Sequence, residues 1–521
     1  MLILSISIYL FIIGWILLLL QRINKKHGIN WLVSVIAGLL GLIAWGVLGS
    51  LKPFTLEFDF ATVPFGLPGN FVLGMDTFSR GIGVMGLAYI VYVINSWMND
   101  LDIKGTFTRI KNIFVSASLF IFLVSAQNEF SYVLVLIAAD FYELIQRFTQ
   151  LGHLQKPKQT MTALFLRFSA VLLFLAGWML SQNTSAAAVH SQDVMFLAMA
   201  MHLWSGLIGL SPGQFKNSTM VLGGYEEIPL FLLGQLVYFI RHPFGIVLSP
   251  WLQMLSTIAT ILMVFHLIQW LRKNAYADSI GHFIQFQIIF ILLYAQVSTP
   301  AGMLAELFVF LVGISILYFR PVNHRHYRWF LIPLLLFFLG LPYLPTAGFW
   351  LVEGNTAWSL WTVYMVFLMG FRSRFSSLSG QGKEFERWML AIYPVGFVPY
   401  FLGIAYLAII KDMPVMGGPF SYNLVAAGVF LLFALYEFLR YKKILKFDET
   451  TQWVATLFDA LWRRVIRVFQ PDWIIAVTRF ISNIIERVLL FINRILEGDG
   501  GLLWAIVLLI LFLSLVRTAG S

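Results

Sequence analysis

The chain has 521 residues, of which 59% are hydrophobic and only 12% are charged. A soluble chain of this length would carry about twice that share of charged residues, so the composition predicts a polytopic membrane protein. The absence of cysteine excludes disulfides, thiolate-bound iron–sulfur clusters and cysteine nucleophiles within the chain. A net charge of +10 would suggest nucleic-acid binding in a soluble protein, so the positions of the cations decide its meaning.

Apolar runs of roughly 17 to 25 residues, long enough to cross a bilayer, recur from one end of the chain to the other. They predict an all-α polytopic membrane fold with about sixteen transmembrane helices. The first run, residues 1–20, lacks a basic start and a small-residue cleavage site. We therefore expect it to be a retained helix and not a signal peptide.

Basic residues are concentrated in every second loop between the apolar runs. Lys and Arg in short loops mark the cytoplasmic side of a membrane protein. The loops predicted to be cytoplasmic include residues 22–26, 104–111, 147–158, 272–273, 320–328 and 372–387. This alternation predicts both termini outside the cytoplasm, in a bacterial-type inner cell membrane. The net charge then reflects topology, and no nucleic-acid partner is expected.

Residues 446–500 do not fit a plain bundle of spans. Their apolar residues recur at i, i+3, i+4 and i+7, with arginines mostly on the other face, which predicts a long amphipathic helix before the last span. Pro471 is expected to kink or divide it. Such a helix lies along the bilayer surface, or it braces neighbouring partner helices.

Ionisable side chains inside the spans are candidates for function, because each costs several kcal/mol unless it is paired or hydrated. The candidates for an ion or proton path are Asp140, His202, Glu226, Glu227, Asp278, His282, Glu306 and Glu353. Carboxylates and imidazoles are the groups that a proton relay needs. The alternatives are that Asp140 is interfacial, beside Arg147, and that His202 and His266 are packing residues.

Glycine and proline interrupt two of the predicted spans. The interruptions include Gly209, Pro212, Pro342, Pro345 and Gly348. Broken helices free backbone groups at membrane depth and indicate an ion path within an internal inverted repeat. The alternative is that these positions are ordinary loop ends.

The predicted organisation follows from these features. It comprises N-terminal helices with an external loop (1–110), a first repeat (111–250), a second repeat with following helices (251–445), the amphipathic lateral helix (446–500) and a final span (501–521). The sequence has no P-loop, dinucleotide fingerprint, zinc-ligand spacing or nucleophile elbow. We therefore expect no catalytic, cofactor or metal site in this chain, and any redox centre would belong to a partner.

Several motifs resemble those of one membrane-protein family. Residues 73–79 (LGMDTFS) resemble its G-x-D-x-L-S, residues 275–282 (AYADSIGH) its A-Y-S-S-I-x-H, residues 304–311 (LAELFVFL) its F-F-K-A-L-L-F-L, and residues 346–350 (TAGFW) its T-A-G-F-F. The chain is thus similar to the antiporter-like subunits of respiratory complex I, Mrp-type cation antiporters and membrane-bound hydrogenases. Its sixteen spans and lateral helix resemble the distal, chain-L-like member. The resemblance implies other membrane subunits as partners and protons or monovalent cations as substrates.

The departures from the family concern its functional charges. Members that pump pair a Glu on the fifth span with a Lys on the seventh, and here these positions fall on Ile137 and Met201. Asp140, one turn along, and His202 are the nearest substitutes. Two further family lysines become Glu306 and Val352, the latter followed by Glu353. The resemblance therefore implies a complex I-like or antiporter-like subunit with an altered path. A non-conducting structural subunit, a membrane partner in proton-coupled inorganic-carbon uptake and an independent secondary transporter remain alternatives.

Overall fold

The structure is a computed structural model. It describes residues 2–23, 27–50, 54–59, 70–97, 106–150, 157–181, 187–207, 250–272, 276–295, 300–318 and 397–409, and the single residues 230, 234, 237 and 428. All of these residues belong to one compact unit, Met1–Lys446, whereas a second unit, Phe447–Ser521, lies outside the described residues. The predicted lateral helix, last span and broken-helix positions also fall outside them.

The described part of the chain is helical except for one pair of strands. The helices are α1 (Leu2–Ile23), α2 (His27–Ser50), α3 (Thr77–Ser96), α4 (Thr106–Ser125), α5 (Glu129–Gln150), α6 (Pro157–Ser181), α7 (Ala187–Leu207), α8 (Pro250–Arg272), α9 (Tyr276–Tyr294), α10 (Pro300–Tyr318) and α11 (Val398–Ile409). The strands are β1 (Phe54–Asp59) and β2 (Asn70–Met75).

Five of the described helices contain segments long and apolar enough to cross a membrane. These segments are Ile3–Ile23, His27–Leu48, Phe107–Ser125, Ala163–Ser181 and Gln253–Trp270. Large apolar side chains on their outer surfaces are exposed, among them Phe11, Trp15, Leu40 and Leu172. A surface of this kind matches a hydrocarbon environment better than water. The chain is a multi-pass membrane protein.

The two strands form an antiparallel hairpin that the sequence analysis did not predict. Phe54 pairs with Met75 at one end, and Asp59 pairs with Asn70 at the other. The main chain of β2 is also bonded to the connection between α4 and α5, where Gln127 donates its N–H to the Val72 carbonyl at 3.0 Å. The predicted external loop therefore contains regular structure fixed to the start of α5.

Helix α3 lies at the centre of the described N-terminal region. Asp76 caps it, because the Asp76 Oδ1 atom accepts hydrogen bonds from the backbone N–H and the hydroxyl of Ser79, each at 2.6 Å. The motif at residues 73–79 thus has a structural role. The indole N–H groups of Trp31 and Trp45 in α2 donate to the carbonyls of Ile94 and Arg80 in α3, both at 3.1 Å.

The other described helices form two sets of contacts, one around α3 and one that runs from α5 to α10. Helix α3 contacts α2, α4, α10 and α11, and α1 packs between α2 and α4. The Tyr92 hydroxyl of α3 donates to the carbonyl of Ser315 in α10 at 2.5 Å. Helices α5, α6 and α7 pack in sequence, and α9 contacts α7, α8 and α10. This arrangement connects the helices that carry most of the buried ionisable side chains.

Candidate functional site

Three neighbouring helices each contribute polar side chains to one buried cluster. Asp140 and Glu143 lie one turn apart on α5, and His202 and Ser205 lie one turn apart on α7. Residues three apart share a helix face, so each pair points in one direction. Arg167 lies near the middle of α6, the helix that packs against both α5 and α7.

Both carboxylate oxygens of Asp140 have a partner within this cluster. Arg167 Nη1 lies 3.2 Å from Asp140 Oδ1 and 2.6 Å from Glu143 Oε2. His202 Nε2 lies 2.7 Å from the other carboxylate oxygen, Asp140 Oδ2. The Arg167 Nε–H donates to the Ser205 hydroxyl at 3.2 Å, and this hydroxyl donates to the His202 carbonyl at 2.6 Å. We call these five residues the α5–α7 cluster.

The α5–α7 cluster is largely shielded from its surroundings. Asp140 is 7% exposed, Arg167 8% and His202 2%. An uncompensated charge is costly at such a site, so the formal charges must nearly cancel. The cluster combines two carboxylates, one guanidinium and one imidazole in a site that is largely closed to its surroundings.

A second pair of ionisable side chains lies between α8 and α9. His266 Nδ1 and His282 Nδ1 are 3.1 Å apart, with ring centroids separated by 5.4 Å. His282 is buried, and His266 is half-buried. His266 therefore has a polar partner on the neighbouring helix. The sequence had left a packing role open for this residue.

Glu306 on α10 lies in a different environment. Its side chain is fully buried, and neither carboxylate oxygen has a hydrogen-bond partner among the described residues. The fully buried amide of Gln287 on α9 likewise has no such partner there. Burying a polar group without hydrogen bonds costs about 1–3 kcal/mol, and more if it is charged. The buried carboxyl group of Glu306 therefore lowers the stability of the folded protein.

The structure places only some of the predicted path residues. Asp140 and His202 come together, His282 pairs with His266, and Glu306 is buried. Asp278 lies in the first turn of α9, but the position of its side chain is not described. The remaining candidates, Glu226, Glu227, Glu353 and the broken-helix positions Gly209, Pro212, Pro342, Pro345 and Gly348, lie outside the described residues.

The predicted path omitted three members of the α5–α7 cluster, Glu143, Arg167 and Ser205, and one member of the histidine pair, His266. Arg167 had a sequence signal, because a lone arginine in an apolar helix requires a buried carboxylate partner. Ser205 had no distinctive signal, since serine is common in such helices, whereas His266 had the same signal as His282, a histidine within an apolar helix. Within the described part of the chain, no group of three or more His, Asp or Glu side chains has the arrangement of a metal site.

No protein-family model matches the sequence, and no curated protein matches it. Solved structures do match over nearly the whole chain. A chain of the membrane-bound sulfane sulfur reductase, an archaeal respiratory membrane complex, has a TM-score of 0.62 and 11% identity, with 99% of each chain covered. A chain of respiratory complex I from Thermus thermophilus has a TM-score of 0.56 and 13% identity, with 80% of this chain and 100% of that chain covered.

A chain of the Mrp complex from a Dietzia species is also similar. Its TM-score is 0.55 at 15% identity, with 100% of this chain and 63% of that chain covered. This protein has the antiporter-like fold. These structures confirm, at the level of the fold, the resemblance that the motifs indicated. The sequence identities are too low to transfer an activity from those proteins to this one. Among the described residues, the α5–α7 cluster, the histidine pair and Glu306 are buried polar features for which a function is sought.

Proposed function

We propose that this protein is a membrane subunit of a complex I-like or cation/proton antiporter-like assembly and that it takes part in proton translocation. The observation that carries the proposal is the Asp140–His202 contact of 2.7 Å on α5 and α7. In the resemblance described above, pumping members place a carboxylate–ammonium pair on the corresponding two spans. A carboxylate–imidazole pair would replace it here, with the proton held at Asp140 Oδ2 or His202 Nε2.

We propose that Arg167 holds the Asp140 carboxylate in place beside His202. Its guanidinium bridges Asp140 and Glu143 while its Nε–H reaches Ser205, so both neighbouring helices are fixed to α6. A planar guanidinium suits this multiple contact, and it keeps its charge at all relevant pH values. Proton exchange in the cluster then falls to the two carboxylates and His202, because the arginine does not titrate.

The wider architecture belongs to the same proposal. It includes about sixteen spans, two broken helices at Gly209–Pro212 and Pro342–Gly348, the lateral helix over 446–500 and both termini outside a bacterial-type inner membrane. The path would continue through Glu226, Glu227, Asp278, His282, Glu306 and Glu353. Other membrane subunits would be the partners, and protons or monovalent cations the substrates.

The test is proton flux into proteoliposomes that contain the purified native assembly under an imposed membrane potential. His202→Gln should lower the flux about tenfold or more, because the amide cannot accept and release a proton. His202→Lys should retain more flux than His202→Gln, since it restores a titratable cation beside Asp140. His27→Gln is the matched control, because His27 stacks on Phe107 in a different part of the fold. Equal flux in all four proteins, with the assembly intact, would favour a non-conducting structural subunit.

A further inference from the structure

The His266–His282 contact has a specific chemical consequence. Two Nδ1 atoms 3.1 Å apart are at hydrogen-bond distance, and two lone pairs facing each other at that distance would repel. One Nδ1 must therefore carry a hydrogen that the other accepts. The contact fixes one hydrogen between two rings on different helices.

The surroundings hold this geometry in place. The ring of Phe265 makes edge contacts with both imidazoles, at centroid distances of 5.2 Å to His266 and 6.3 Å to His282. Each histidine lies about 9 Å along its helix from the short connection between α8 and α9. The two rings therefore meet at one level of an antiparallel helix pair.

Other ionisable side chains lie on the helices packed around the pair. Helix α9 contacts α7, α8 and α10. Besides the two histidines, the ionisable side chains with described positions on these four helices are Asp193, His202, Tyr294 and Glu306. His202 belongs to the α5–α7 cluster, so neighbouring helices carry the histidine pair and the proposed proton-binding site.

We propose that His266 and His282 share one proton and form a relay that passes protons between α8 and α9, a role that rests on the function proposed above. A proton binds Nε2 of the ring whose Nδ1 carries the shared hydrogen. That hydrogen moves across the Nδ1–Nδ1 contact, and the second ring releases its own Nε2 proton. One proton enters and one leaves, and the pair resets when both rings return to their first tautomers.

The shared proton is tested first in the wild-type protein. In the native assembly labelled with ¹⁵N-histidine, solid-state NMR should detect a through-hydrogen-bond coupling between two Nδ1 nitrogens. The signal should vanish in His266→Phe and persist in His27→Phe. Two uncoupled Nδ1 nitrogens in the wild-type assembly would overturn the proposal.

The relay is tested by proton flux in proteoliposomes. His266→Phe and His282→Phe should each lower flux about tenfold or more, and the double variant should lower it no further, because both residues serve one step. Phenylalanine keeps the aromatic contacts with Phe265, and His27→Phe is the matched control. Unchanged flux in both single variants, beside a conducting wild type, would overturn the relay alone. A wild-type assembly that conducts no protons would overturn the proposed function, and the relay with it, whatever the NMR shows.

Discussion

At the scale of single residues, Arg167 is the side chain on which the α5–α7 cluster depends. It contacts Asp140, Glu143 and Ser205, and it supplies the cluster's permanent positive charge. Arg167→Gln removes the cation that contacts both carboxylates in this buried site, so we expect a loss of about 3–5 kcal/mol in stability. Thermal unfolding of the purified assembly measures this loss.

The control for Arg167→Gln is Arg22→Gln, because Arg22 is exposed at the end of α1. It should change stability by no more than about 0.5 kcal/mol. Arg167→Lys should fall between the two, because one ammonium cannot reproduce the bridging contacts of the guanidinium. If Arg167→Gln were as stable as Arg22→Gln, the ion pairs of the cluster would not be formed in the protein.

Glu306 gives the opposite expectation for stability. Its buried carboxyl group has no hydrogen-bond partner among the described residues, so an apolar side chain of similar size should fit at lower cost. Glu306→Met should raise stability by about 1–3 kcal/mol and, if Glu306 lies on the proton path, lower proton flux. Leu307→Met, at the neighbouring buried position, controls for repacking. A less stable Glu306→Met would mean that this carboxyl group is bonded in the assembly.

At the scale of elements, helix α3 packs so closely against α4 that there is no room for a methyl group at Gly86. A Cβ at Gly86 would overlap the ring of Phe120, which is fully buried in α4. Gly86→Ala should therefore cost about 1–3 kcal/mol by overpacking. Gly46→Ala in α2 is the matched control, since no atom lies within 4 Å of the added Cβ. The control should gain up to about 1 kcal/mol from helix propensity. Equal unfolding midpoints for both variants would show that α3 and α4 are not packed this closely.

The sequence predicted helical elements better than their connections. Long apolar runs mark α1, α2, α4 and α6 directly, because apolar length determines what can cross a bilayer. The hairpin of β1 and β2 was missed, since six-residue strands in a loop carry little periodic signal and this pair also depends on contacts with residues near Gln127. The motif at residues 73–79 was found, but its capping role required coordinates.

The candidate site could be predicted only in part. Buried carboxylates and imidazoles in apolar helices are visible in a sequence, so Asp140, His202, His282 and Glu306 were predicted as path residues. Their partners depend on which helices are neighbours, which a sequence without pairing information does not contain. Arg167 beside Asp140 and His266 beside His282 are tertiary contacts of this kind.

At the scale of the whole molecule, the antiporter-like fold holds buried charged groups between its helices. Chains of three assemblies share this fold at 11–15% identity. The proposed function assigns proton exchange to the aspartate–histidine pair at the buried contact between α5 and α7. A non-conducting structural subunit would not need this pair for proton transfer.

The most direct test of that claim is the proton flux of the reconstituted native assembly with Asp140→Asn. The amide is nearly the same size as the carboxylate but cannot take up a proton, so we expect the flux to fall about tenfold or more while the assembly remains intact. Asp193→Asn, on α7 outside the cluster, should leave the flux unchanged. Undiminished flux in Asp140→Asn would show that proton translocation does not require the Asp140 carboxylate, which would contradict the proposed role of the Asp140–His202 pair.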